Sequence, residues 1–122
     1  MKQFLVAVTI LLLLILLLLF SVMLVRDLCD ELLASLEALP EDPGDRAAEG
    51  LEALGQIWEK RSWIFELFYP EERVERARAD FLSMKEFADS GETGAYRNAK
   101  EQLREDLKEL RESAGPSWKK LF

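Results

Sequence analysis

Acid–base and nucleophilic chemistry at neutral pH draws first on histidine, cysteine and paired carboxylates. The chain has no histidine and one cysteine, Cys29, against 23 acidic residues. That removes every His-dependent triad, any internal disulfide and any Cys-based zinc site. Glu41, Asp42 and Asp45 cluster around a Pro-Gly turn, as calcium-binding acids do. They lack the D-x-[DN]-x-[DN]-G spacing and the distal glutamate of a calcium loop. No Gly-rich phosphate loop or nucleophile elbow is present, and carboxylate pairs among so many acids arise by chance. The expectation is a protein that is not an enzyme and uses no cofactor or metal.

The charge balance narrows the partners. Lys2 is the only charged side chain before Arg26, so the remaining 15 basic residues face 23 acidic ones. An acidic domain is poorly suited to nucleic acid or to anionic lipid. Acids and bases alternate closely, as on solvated helix faces.

The stretch that positions everything else is Phe4–Val25, 22 residues without charge, ten of them leucine. At about 1.5 Å per residue, roughly 20 apolar residues span a hydrocarbon core of about 30 Å. A cleaved signal would have a shorter apolar run and a small-x-small exit. Ser21-Val22-Met23-Leu24-Val25 offers none, and Arg26-Asp27-Leu28 before Cys29 does not fit a lipoprotein site. A retained single span in the cell membrane is expected, in contact with the bilayer through residues 4–25. Lys2 and the terminal amine favour a cytoplasmic N-terminus and an extracytoplasmic C-terminal domain. Ala7, Thr9 and Ser21 make no small-xxx-small motif, so the span reads as lipid-facing.

Beyond the span, Leu28, Leu32, Leu33, Leu36 and Leu39 keep a helical spacing with no breaker before Pro40. The helix therefore continues out of the membrane to about Leu39, where Pro40–Gly44 stops it. Asp45 is a good N-cap for a second helix, 45–69, with Ala47, Leu51, Leu54, Trp58, Phe65 and Phe68 on its stripe. A third, 70–89, carries Val74, Ala77, Phe81, Met84 and Ala88, with Glu72–Arg76 and Arg76–Asp80 as i,i+4 pairs. A fourth, 93–114, carries Tyr96, Ala99, Leu103, Leu107, Leu110 and Ala114, with Ser90 or Thr93 as its cap. Short connections imply antiparallel neighbours. The predicted architecture is all-α. A transmembrane helix (1–25) leads through an extension and turn (26–44) into an antiparallel three-helix bundle with a short tail (45–122). The extension is a candidate fourth element.

Two sets of exposed-type apolar residues stand out. Trp63 and Leu67 lie about 140–180° around the second helix from Trp58. They belong either to a second buried face or to an interaction patch for a partner or the membrane interface. In the tail, Trp118, Leu121 and Phe122 fall at i, i+3, i+4 and form a candidate interfacial segment.

Trp58-Glu59-Lys60-Arg61, the run Phe65–Phe68 and the closing Ser117-Trp118-Lys119-Lys120-Leu121-Phe122 carry a likeness over most of the chain. The chain resembles a family of small single-span membrane proteins of spore-forming Firmicutes, classed as a domain of unknown function. The resemblance implies membrane attachment and an all-helical domain, and supplies no activity, cofactor or catalytic residue. The expected role is a membrane-anchored interaction or scaffold module of the cell envelope, binding a protein partner there. An accessory subunit of a larger membrane complex is the alternative.

Overall fold

A computed structural model describes residues 1–114, so Trp118, Leu121 and Phe122 lie outside the described residues. The protein is all-α, with no strand among the described residues. Helix α1 spans Lys2–Glu37, α2 Asp45–Arg61, α3 Trp63–Phe68, α4 Glu71–Asp89 and α5 Thr93–Glu112. Its N-terminal helix is long and apolar enough to cross a membrane.

That helix runs on unbroken, because no Pro or Gly interrupts residues 2–37. Its character changes along its length. Residues 4–20 expose their side chains on every side, whereas Val25, Leu28, Cys29, Leu32 and Leu36 are buried. The second half of α1 is therefore one wall of the core and not a leash to it. Around it pack Leu51, Leu54 and Trp58 of α2, Val74, Ala77, Phe81 and Met84 of α4, and Tyr96, Leu103, Leu107 and Leu110 of α5. The expected three-helix bundle is thus a four-helix one, closed by the extension of α1.

Neighbouring helices run antiparallel, as the cross-contacts require. Arg61 at the end of α2 pairs with Glu31 and Asp27 at the start of the extension. Arg111, Arg104 and Lys100, rising through α5, meet Asp30, Glu37 and Leu39 in turn. Most of these pairs are solvent-exposed and contribute little each, but they fix the register of α5 against α1.

The top of the bundle is built on the turn that ends α1. Tyr96 Oη donates to Pro40 O at 2.9 Å, Arg97 Nε to Glu41 O at 3.1 Å and Lys100 Nζ to Leu39 O at 3.1 Å. Three donors from one face of α5 thus satisfy carbonyls that the end of α1 leaves without helical partners. The Lys100 stem is buried and its ammonium also lies 3.6 Å from Glu41 Oε1. Gly50 lets α2 approach here, since a Cβ would fall 2.4 Å from Leu39 Cδ2. Lys100→Ala is expected to strand the Leu39 carbonyl and lower stability by about 1–3 kcal/mol, measurable as a lower thermal midpoint of the purified full chain.

Several local expectations differ from the structure. Asp45 is the first helical residue and Gly44 the N-cap, so Asp45 acts on the helix dipole rather than as a side-chain cap. Neither Ser90 nor Thr93 caps α5. Gly91, at φ +73°, instead ends α4 in a Schellman turn, with Glu92 N bonding Phe87 O and Gly91 N bonding Ala88 O. Glu72–Arg76 and Arg76–Asp80 form no ion pair among the described residues, and Asp80 turns instead to Asp106 of α5.

The helix expected over 45–69 is divided at Ser62 into α2 and α3. Ser62 keeps right-handed helical dihedrals (φ −62°, ψ −21°), and its amide bonds Trp58 O at 2.8 Å. The Trp58 and Phe65 rings meet across this break, tilted by 45° with centroids 5.7 Å apart. Phe68, expected on the core stripe, points outward. Tyr69 then adopts the extended conformation demanded by Pro70 and closes the base by donating to Leu110 O near the end of α5.

Candidate functional site

The groups singled out for their chemistry serve the fold. The Cys29 thiol is buried, and desolvation first, with Asp30 second, pushes its pKa up to about 12. A protonated buried thiol is neither a nucleophile nor a metal ligand. Asp42 accepts from Arg97, and the Glu41 carboxylate pairs with Arg97 and Lys100 at 3.8 and 3.6 Å, so both serve the turn. No group of three or more acidic, cysteine or histidine side chains among the described residues is arranged to hold a metal.

The unusual buried chemistry is a carboxyl pair. Asp106 of α5 is buried beside Asp80 of α4, and one oxygen of each has no hydrogen-bond donor. Burial first, then the neighbouring Asp80, raise the Asp106 pKa to about 7 against the opposing pull of Gln102 and Arg76. The Asp106 carboxyl is thus held towards its neutral form at the contact of α4 with α5. It sits in the wall of the bundle, where it acts on stability.

The surface offers two apolar features. The first is α3 with the base of the bundle. Trp63 is 53% exposed, Leu67 66% and Phe68 46%, while Ile64 and Phe65 of α3 are buried. Trp63 and Leu67 thus do not form a second buried face, because α3 lies at the end of the bundle with its outer side uncovered. Next to Phe68 and Tyr69 is a cleft of about 310 Å³ whose opposite wall is Leu18, Ser21, Val22 and Val25 of α1. Phe68, expected on the core stripe, is exposed beside Trp63 and Leu67, and no proline or glycine near Ser62 marks the division of the helix there.

The second feature is an open groove of about 1030 Å³ between α2 and α4, with Leu51, Trp58, Phe81 and Leu82 among its lining residues. Gly55 lies in the same groove, where a Cβ would come within 3.2 Å of Phe81 Cζ. The Trp58 indole N–H finds no acceptor within the described residues, and Leu82 is 53% exposed. Charged side chains, including Glu59, Lys60, Arg78 and Lys85, rim it. No sequence pattern marks this groove, because it depends on how far α2 and α4 stand apart.

Comparisons of the chain with family models, with curated proteins and with solved structures return no match. Its function is therefore argued from its own geometry.

Proposed function

We propose that the chain is a membrane-anchored helical interaction module of the cell envelope. The observation that carries this reading is the single helix α1, which over Phe4–Phe20 exposes apolar side chains with Thr9 the one exception, and whose second half is core. Such a helix gains free energy in a bilayer and is costly to leave in water. Its continuation would hold the domain in a fixed pose on the membrane surface. The N-terminus is cytoplasmic and the domain extracytoplasmic in this reading, supported by Lys2 before the span and the acid-diluted flank after it.

The module works by presenting a surface to another membrane or envelope protein. The α2–α4 groove suits a helical segment: an apolar floor and a charged rim. A photo-reactive amino acid at Leu82, in intact cells, should give one discrete protein adduct that the same probe at Lys108 on α5 does not give. No adduct, or the same adducts from both positions, would contradict the reading. Protease added to spheroplasts should digest the domain; a domain protected until lysis would reverse the orientation.

A further inference from the structure

We infer that the α3 face formed by Trp63, Leu67 and Phe68 is seated in the lipid interface beside the span, as a second point of membrane contact. The inference rests on the membrane-anchored reading above and adds a lipid site to it.

The first argument is length. The fully exposed apolar run of α1, Phe4–Phe20, has 17 residues. At 1.5 Å each these cover about 25 Å, roughly 5 Å short of a hydrocarbon core of about 30 Å. Any tilt of the helix widens the shortfall. The next turn of α1, Ser21–Leu24, must therefore also lie at hydrocarbon or interface depth. That turn does not stand alone: Ser21 and Val22 form one wall of the cleft whose other wall is Phe68 and Tyr69. Bringing Ser21 and Val22 to the edge of the bilayer brings the base of the domain there too.

The second argument is chemistry. What the base presents at that level is an aromatic-aliphatic face. At about 100° per residue, Leu67 lies about 40° and Phe68 about 140° from Trp63, with Glu66 about 60° to the other side. Trp63 and Leu67 thus share one exposed arc, and Glu66 flanks it where a carboxylate can stay among headgroups and water; Phe68 lies past the buried Ile64, on the flank that lines the cleft against α1. Trp and Phe at this depth match the amphipathic belt of the membrane interface. In water the same three side chains would form an exposed apolar patch with nothing over it. The neighbouring surface is not apolar: Lys60, Arg61, Glu71 and Arg73 surround α3 in sequence, as suits residues in the headgroup layer.

The occupant is therefore the bilayer that already holds α1, since the cleft sets Phe68 of α3 beside Leu18 and Val22 at the end of the span. A two-point attachment fixes rotation of the domain about the α1 axis, which a span alone leaves free.

The test uses the full chain in vesicles of mixed phosphatidylcholine and phosphatidylglycerol. Single cysteines at Trp63 and at Leu67 are nitroxide-labelled, with labels at Leu12 in the span and at Glu86 near the far end of α4 as references. Native Cys29 is buried and takes no label in the folded chain, which the unsubstituted protein verifies. The readout is the ratio of collisions with oxygen to collisions with a nickel chelate. The inference expects Trp63→Cys and Leu67→Cys to give ratios several-fold above Glu86→Cys and below Leu12→Cys. Ratios equal to that of Glu86→Cys, with Leu12→Cys protected, would overturn the lipid foot and leave the span in place. A Leu12→Cys label as open to nickel as Glu86→Cys would overturn the span itself, and the foot with it.

Discussion

Leu32→Asp is expected to abolish the cooperative melt of the full chain. Leu32 is buried where α1, α2, α4 and α5 converge, in a small apolar space shared with Leu54, Trp58, Phe81, Leu103 and Leu107. Truncating a buried leucine costs about 2–5 kcal/mol, and an unpaired carboxylate in the same place adds several more. Whole domains are stable by about 5–15 kcal/mol, so the sum is comparable to the total. The site lies in the helix that also forms the apolar span, so the result bears on architecture as well as packing. Were α1 only a leash, a charge at position 32 would be harmless. Leu82→Asp, at a position open to solvent, should stay within about 0.5 kcal/mol of the parent. Differential scanning calorimetry of both variants in detergent reads the contrast directly.

The second large effect is a dependence of stability on pH that runs opposite to acid denaturation. In the folded chain the Asp106 carboxyl titrates at about 7, against an ordinary value of 3.8, because burial and Asp80 disfavour its charge. Between those two values the folded state binds a proton that the unfolded state has released. Stability from this group is therefore full below about pH 4 and is lost as pH rises through about 7. For one proton the slope approaches ~1.4 kcal/mol per pH unit at its steepest. Asp106→Asn keeps a neutral group that can donate to Asp80 and has nothing to titrate. The variant is expected to melt several degrees higher than the parent at pH 8, with the gap closing towards pH 5. An unchanged gap across that range would mean that Asp106 is ionised in the native state.

Much of this fold is legible in the chain, and the reasons it is legible also mark the limits. The four apolar stripes, Leu28–Leu39, Ala47–Trp58, Val74–Met84 and Tyr96–Leu110, name the core almost residue for residue, since a helix of period 3.6 shows its buried side as spacing alone. The stripe at 28–39 also announces that the helix continues beyond the span, with the extension a candidate fourth element of the bundle. What spacing cannot carry is the relation between helices. Lys100 reads as part of a solvated face, yet its stem runs under the turn at Leu39 and its ammonium caps the end of α1. Asp106 reads as one acid among many, and becomes unusual only because α4 brings Asp80 against it. Trp63 and Leu67 are correctly placed on the side of the helix opposite Trp58. That this side is open follows from where α3 ends up, below the bundle and next to residues 18–25 of α1. Phe68 follows the stripe arithmetic inward, yet it is the last residue of α3, before the extended Tyr69, and is exposed there.

The central claim is that span and domain form one rigid piece, joined through α1. Nitroxide labels at Ile10→Cys, in the apolar half of α1, and Lys85→Cys, on the far part of α4, span the junction at two exposed positions. Pulsed dipolar spectroscopy of the doubly labelled full chain in vesicles gives the distribution of distances between them. The account predicts a single narrow distribution, no broader than that of a pair placed wholly within the domain at Glu52→Cys and Lys85→Cys. A broad or multi-peaked Ile10–Lys85 distribution beside a narrow Glu52–Lys85 one would contradict it, since it would mean that the domain swings on the end of its membrane helix.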